Sequence, residues 1–191
     1  MKETIFFAFV VLLLNACGGK PKVETTTMGK EIPQGAPPVV SAEAFKSEIE
    51  VLKVFFASQT GKKMDKVKAA EMVAKSQQFA IAYPEDPIGG AYLFTAGEVA
   101  RSLGRYEDAI NIFTKVESDY PTHEKAPVAL FLKGFTYEEN LGNTALARKC
   151  YQGFLEKYPN HERKKEVEQL LAVVDISPED LIKRFKEQNK Q

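Results

Sequence analysis

The sequence predicts an all-α fold in which antiparallel helix hairpins stack in a row, an α-solenoid. The first observation is that the dipeptides Tyr83-Pro84, Tyr120-Pro121 and Tyr158-Pro159 recur at spacings of 37 and 38 residues. The second is that the apolar residues between these dipeptides follow the 3.6-residue period of a helix. A fixed period of this length indicates repeats that bury their apolar faces against their neighbours.

The composition is that of one ordinary domain and excludes several classes of protein. The 191 residues include 26 basic and 26 acidic side chains, and 44% of them are hydrophobic. A balanced charge gives no long-range field that would attract nucleic acid, so we expect no nucleic-acid partner. Two cysteines are too few for a disulfide framework, so folding must depend on packing.

The first 16 residues have the layout of a secretory signal. Met1 and Lys2 precede an apolar run at residues 5–14, and Asn15-Ala16-Cys17 follows. The run has about half of the ~20 apolar residues that a membrane-spanning helix needs. We therefore expect residues 1–16 to be removed as a signal peptide.

Residues 17–40 are interpreted as the new N-terminus and a flexible tether. Residues 18–40 contain four of the ten prolines and four of the twelve glycines, and they show no helical period. Fully extended, such a segment reaches about 70 Å. The folded domain, residues 41–191, could then stand clear of a membrane surface.

Residues 41–84 are expected to form a degenerate first repeat. Its two helices would run from Ser41 to Ser58 and from Met64 to Tyr83. The predicted inner stripes are Phe45, Ile49, Leu52 and Phe56 on the first helix and Val67, Ala70, Val73 and Ala74 on the second.

Two regular repeats follow at residues 87–121 and 124–159. In the first of them, Leu103-Gly104 ends one helix and a second helix runs to Tyr120-Pro121. The next repeat keeps this order with one extra residue, which we assign to its turn. The inward residues are Leu93, Ala96, Gly97, Ala100, Ala109, Ile110, Phe113 and Val116, and then Leu130, Gly134, Tyr137, Leu141, Ala147, Tyr151 and Phe154.

Residues 162–188 are predicted to form a C-terminal cap with a polar outer face. A short helix there would bury Val167, Leu170, Leu171 and Val174. Ser177 and Pro178 suit the N-cap and first position of a final helix. Its Leu181, Ile182 and Phe185 are expected to face inward.

The repeats resemble tetratricopeptide (TPR) repeats. In that family a small residue, a turn glycine, an alanine, an aromatic residue and a closing proline recur in this order. The matching residues are Gly97, Gly104, Ala109, Phe113 and Pro121, and then Gly134, Gly142, Ala147, Tyr151 and Pro159. The resemblance covers residues 84–160 and implies a right-handed superhelix. The sequence departs from the pattern at Leu93 and Leu130, where an aromatic is usual, and at Lys133, which replaces a leucine and is expected to weaken local packing.

The N-terminal signal resembles the lipobox of bacterial lipoproteins. The matching residues are Leu14-Asn15-Ala16-Cys17. The resemblance implies that Cys17 carries acyl chains such as palmitate. Gly18 favours the outer membrane, and the lack of an acidic run after Cys17 favours its periplasmic side. The alternative is an ordinary cleavage site followed by a free cysteine.

The TPR resemblance also implies a concave groove lined by the first helix of each hairpin. Transferring the family register places six residues there: Phe94, Glu98, Arg101, Phe131, Phe135 and Glu138. We expect a hydrophobic, partly acidic groove that accepts a helix or an extended segment of a protein. The alternative is that the C-terminal helices cover Phe131 and Phe135, and the sequence leaves both possibilities open.

No motif in the sequence indicates catalysis, a cofactor or a metal. The only histidines, His123 and His161, take equivalent places after two Tyr-Pro dipeptides, which repetition explains without chemistry. We expect a non-enzymatic adaptor or scaffold for envelope proteins. The Tyr-Pro…Ala-Pro…Ala connections resemble those of TPR proteins of Tol-Pal coordination and of β-barrel assembly, and a secretion complex would suit the chain equally. The alternatives are a small-ligand or nutrient-binding lipoprotein and, third, an enzyme.

Overall fold

A computed structural model describes residues 40–58 and 63–188 of this chain. The predicted signal peptide, Cys17 and nearly all of the tether lie outside the described residues. Within those two ranges the chain is entirely helical, with eight α-helices, one π-helical segment and no strand. The all-α prediction is confirmed, while the division into signal peptide, tether and TPR domain stays a prediction.

The helices are short and follow one another closely. Each packs mainly against its neighbours in sequence from α1 to α7, which is the arrangement of an α-solenoid. The helices are α1 (Ala42–Ala57), α2 (Lys66–Ala82), α3 (Ile88–Ser102), α4 (Tyr106–Asp119), α5 (Ala126–Phe135), α6 (Thr144–Lys157), α7 (Lys164–Val173) and α8 (Pro178–Gln188), and the π-helical segment Thr136–Asn140 follows α5.

The core consists of three apolar clusters that overlap along the row of helices. The first joins α1 and α2 to Tyr92 of α3. The second extends from Val73 of α2 through α3 and α4 to Ala129 of α5. The third joins α5, α6 and α7. Because neighbouring clusters share helices, each hairpin is stabilised by the next one.

Local signals in the sequence set several helix ends. The side chain of Ser41 accepts the Ala44 N–H at 3.2 Å and caps α1, and Asp65 caps α2 in the same way. Gly104 and Gly142 follow the first helices of the two regular repeats with φ of 76° and 61°. Glycine adopts this left-handed conformation without the steric cost that other residues incur.

The extra residue of the second repeat lies in its first helix and not in its turn, so our assignment was wrong. Gly97 and Gly104 are seven positions apart, whereas Gly134 and Gly142 are eight apart. The helix absorbs the difference as a π-helical turn, in which the Leu141 N–H bonds to the Thr136 carbonyl five residues back at 3.2 Å. Such a turn accommodates one inserted residue without breaking the helix.

Some residues predicted to face inward are exposed. On α2, Val67 is 78% exposed and Ala70 and Ala74 are also exposed, whereas Val73 is buried as predicted. The buried stripe of this helix consists of Ala69, Met72, Val73, Ser76 and Phe79. The alanines of this helix fit either face, so they misled the pattern. On α8, Ile182 is 54% exposed and does not face inward.

Lys133, which was expected to weaken packing, takes part in an ionic cluster between α4, α5 and α6. Its ammonium lies 2.9 Å from the Glu117 carboxylate, which also accepts a hydrogen bond from Lys157. The side chains of Lys133 and Glu117 are only 16% and 14% exposed. Charge pairing therefore replaces the apolar contact that a leucine would make.

The helices of the first regular repeat approach closely at Gly97. A Cβ atom at this position would lie 2.5 Å from Cε1 of Phe113, whose ring is fully buried. Ala109, opposite in the same hairpin, is also fully buried. The predicted close contact is therefore present, and it depends on the missing side chain.

Replacing Gly97 with alanine is expected to destabilise the protein by about 1–3 kcal/mol, because the Phe113 ring has no space to move into. Gly153 is the matched control, since it is helical but a Cβ there would touch nothing within 4 Å. Gly153→Ala is expected to stabilise by up to ~1 kcal/mol through helix propensity. Urea unfolding followed by circular dichroism measures both changes. Shifts of the same sign would contradict the close approach.

Candidate protein-binding groove

The three phenylalanines predicted for the groove differ in exposure. Phe94 is 8% exposed and Phe131 is 6% exposed, so both are buried. Phe135 is half-buried, and its ring stacks on that of Phe131 with centroids 6.1 Å apart. Phe131 shares its apolar cluster with Val167 and Val174 at the C-terminal end of the fold. Of the three rings, Phe135 is therefore the most accessible.

A cation lies over each of the two buried rings. Lys125 Nζ is 5.9 Å from the centre of the Phe94 ring, and the Arg163 guanidinium is 5.1 Å from that of Phe131. Lys125 and Arg163 stand immediately before α5 and α7 and are 38 residues apart. In both regular repeats, a cation from the unit that follows therefore lies over a phenylalanine of the first helix.

Neither cation was among the predicted site residues, because those were taken from the first helix of each hairpin and both cations precede such a helix. The 38-residue step from Lys125 to Arg163 in the sequence could have revealed them.

Arg101 and Glu98 lie together on α3, next to Phe135 of α5. The Arg101 guanidinium is 5.6 Å from the centre of the Phe135 ring. Glu98 is exposed as a residue, but protein atoms partly shield its carboxylate. This desolvation raises the pKa of Glu98, and the charges of Arg101 and Lys125 oppose the rise. The buried Nε of Arg101 has no hydrogen-bond partner among the described residues.

Glu138 is held by its own hairpin. Its carboxylate accepts a hydrogen bond of 2.6 Å from the hydroxyl of Tyr151, which is fully buried on α6. Burial, with this hydrogen bond, strongly raises the pKa of Tyr151, so the phenol stays protonated and donates. The structure brings Glu98, Arg101 and Phe135 together, and it anchors Glu138 to α6 through Tyr151.

The two histidines stabilise the turns between repeats. Nδ1 of His123 accepts the Lys125 N–H at 3.1 Å, and Nδ1 of His161 accepts the Arg163 N–H at 3.2 Å. Each ring thus fixes the backbone of the cation that covers a phenylalanine. Their equivalent positions reflect this shared structural role.

The described residues show no group of side chains that could form a metal centre. They contain no group of three or more His, Cys, Asp or Glu side chains that could hold a metal ion. Cys150 is buried, and burial raises the pKa of its thiol, which makes it a poor nucleophile. None of the described helices has the length and apolar character to cross a membrane.

Comparison with known proteins identifies the repeats. Residues 91–123 and 128–161 match the tetratricopeptide repeat family model, about a third of the chain. No curated protein matches the chain. Each match covers the helix pair α3 and α4 or the helix pair α5 and α6. The chain is therefore an all-α protein that contains two tetratricopeptide repeats within a TPR-like α-solenoid.

Proposed function

We propose that this chain is a non-enzymatic, lipid-anchored adaptor that holds other proteins in a complex of the bacterial envelope. TPR repeats generally mediate protein–protein interactions, so protein partners follow from the fold. The observation that carries the proposal is the surface formed by Glu98, Arg101 and Phe135, where a half-buried aromatic ring and a half-buried guanidinium lie side by side.

This surface suits a segment of a protein better than a small molecule. Phe135 offers an apolar contact, and the half-buried guanidinium of Arg101 beside it offers charged donors for a carbonyl or carboxylate. A main chain or an acidic side chain that follows an apolar side chain supplies both. The partner segment would lie across α3 and α5, the first helices of the two repeats.

The location rests on the N-terminal sequence. A short apolar run followed by Leu14-Asn15-Ala16-Cys17 supports acylation of Cys17. Two or three acyl chains hold a protein on a bilayer almost permanently, since each buried CH₂ contributes about 0.8 kcal/mol. We place the protein on the periplasmic side of the outer membrane, in a complex of the β-barrel assembly, Tol-Pal or secretion type.

A small-ligand or nutrient-binding lipoprotein is the alternative. Between two Tyr-Pro turns lies an open depression of about 440 Å³, lined by residues that include Pro84, Tyr120 and His123. Its lining is acidic, with Glu85, Asp119 and Glu124. The paired aromatic and guanidinium groups on α3 and α5 favour the adaptor.

Purification from the native membrane in mild detergent, followed by mass spectrometry, tests both parts of the proposal. The groove variant combines Glu98→Arg with Arg101→Glu and should stay in the membrane fraction but lose the partner. Cys17→Ser should leave the membrane fraction without acyl chains. The matched control reverses two exposed charges of α4, Glu107→Arg and Lys115→Glu, and should behave as the unmodified protein does. Equal partner recovery by the groove variant would refute the groove, and continued acyl labelling of Cys17→Ser would refute the anchor.

A further inference from the structure

The tip of the first hairpin carries apolar side chains that no other described part of the fold covers. Val51 and Val54 on α1 are 65% and 69% exposed, and Val67 at the start of α2 is 78% exposed. The half-buried ring of Phe55 lies beside them, with Lys68 Nζ 4.0 Å from its centre. Val51 and Lys68 line the same shallow depression, so the two helices present one continuous surface. We call this surface, together with Lys63 and Lys66, the α1–α2 tip.

On α1, the exposed large apolar side chains lie in the half of the helix that belongs to this tip, although Ile81 at the far end of α2 is also exposed. The outward residues of the first half of α1 include Glu43, Ser47 and Glu48, which form the polar outer face expected of a terminal helix in a solenoid. Only the second half of α1 exposes valines. These valines therefore do not belong to a polar capping face, and they indicate a contact at this end of the fold.

Exposed lysines lie at the start of α2, beside the apolar tip, while Glu48 and Glu71 line the depression farther along the two helices. Residues 63–68 contain three lysines and one acidic residue, and Lys63 and Lys66 are exposed. The one acid, Asp65, accepts the backbone N–H groups of Val67 and Lys68 and caps α2. Exposed apolar side chains beside exposed lysines match an anionic lipid surface. There the valines would enter the headgroup region and the ammonium groups would meet phosphates.

We infer that the α1–α2 tip contacts an anionic phospholipid surface and thereby orients the solenoid on the membrane. A second copy of the chain fits less well, because the lysines of two facing tips would repel each other. The contact is weak by itself. It rests on the proposed lipid anchor, which raises the local concentration of the tip at the bilayer so that a weak contact is occupied. The α1 helix is about 24 Å long and an extended tether about 70 Å, so the tip can reach the bilayer that holds the anchor.

Lysine footprinting of the full chain, reconstituted in vesicles with or without phosphatidylglycerol, tests the contact. Acetylation by an amine-reactive ester is followed residue by residue with mass spectrometry. On anionic vesicles Lys63 and Lys66 should react about fivefold more slowly than in detergent, and salt at about 1 M should abolish this protection. The internal controls are Lys115 on α4 and Lys149 on α6, both exposed, which should not change.

Two variants locate the contact. Val54→Glu combined with Val67→Glu should remove the protection, whereas Ile81→Glu should keep it, because Ile81 is equally exposed at the far end of α2. If the protein floats with the vesicles but Lys63 and Lys66 react as fast as in detergent, the tip contact is refuted and the anchor stands. If the protein does not float with the vesicles, the tip contact and the lipid anchor are both refuted. Protection without lipid that grows with protein concentration would show self-association instead, and protection only in native membranes would show a protein partner; either result overturns the inference.

Discussion

Replacing Phe131 with alanine is expected to reduce the free energy of unfolding by about 3–5 kcal/mol, the loss typical of a large buried aromatic side chain. Its ring is 6% exposed, stacks on Phe135, and shares a cluster with Val167 and Val174. The cavity would open where α5 meets the C-terminal end of the fold. Arg163 would also lose the ring over which it lies. Chemical denaturation monitored by circular dichroism measures the change.

Phe135→Ala is the matched comparison because Phe135 is half-buried and lies at the edge of the same cluster. We expect it to cost roughly half as much, since it removes less buried area. Phe131→Leu should restore most of the stability by refilling the cavity. If Phe131→Ala leaves stability nearly unchanged and instead abolishes partner recovery, Phe131 is a binding anchor and its burial in the core is wrong.

This comparison also bears on the alternative that the sequence left open. The structure places Val167 and Val174 in the cluster of Phe131, so part of the aromatic surface serves packing. Phe135 and Arg101 retain partial exposure, which leaves them as the groups that can meet a partner. Binding tests should therefore change exposed charges near Phe135 and leave Phe94 and Phe131 intact, because truncating a buried ring confounds folding with binding.

The fold was predictable because a repeat supplies its own evidence. The recurrence of Tyr-Pro and the glycines at 104 and 142 marks turns whose backbone few other residues adopt. The missing Cβ of Gly97 likewise signals the approach of Phe113. In each case one residue type has one physical reason to occur, so the sequence pattern is unambiguous.

The failed predictions concern residues whose chemistry fits several environments. Alanines made the wrong stripe of α2 as plausible as the true one, and only contacts with other helices distinguish the two. The inserted residue was assigned to the turn, although the glycine spacings of seven and eight residues already place it before Gly142, in the first helix, where it forms the π-helical segment. Lys125 and Arg163 looked like ordinary surface cations because their partners are distant in sequence.

The ionic cluster at Glu117 is expected to make stability depend on pH in a defined direction. Hydrogen bonds from Lys157 and Lys133 lower the pKa of Glu117 below its ordinary value of 4.5, against the raising effect of desolvation. A carboxyl with a lower pKa in the folded state stabilises the fold above its unfolded pKa. This contribution is lost as the pH falls from about 4.5 through the folded value.

Glu117→Gln should therefore cost about 2 kcal/mol near neutral pH, because it leaves the largely buried ammonium of Lys133 without its counter-charge. The difference in unfolding free energy between the unmodified protein and this variant should stay constant from neutral pH down to about 5.5 and shrink below about 4.5. Taking the difference cancels the titration of the other carboxyl groups. Glu156→Gln, at an exposed position of α6, is the control and should change stability by less than about 0.5 kcal/mol. Urea denaturation across this pH range measures the difference in unfolding free energy. If that difference grows in acid, desolvation of Glu117 outweighs its pairing with the two lysines, and the cluster destabilises the fold.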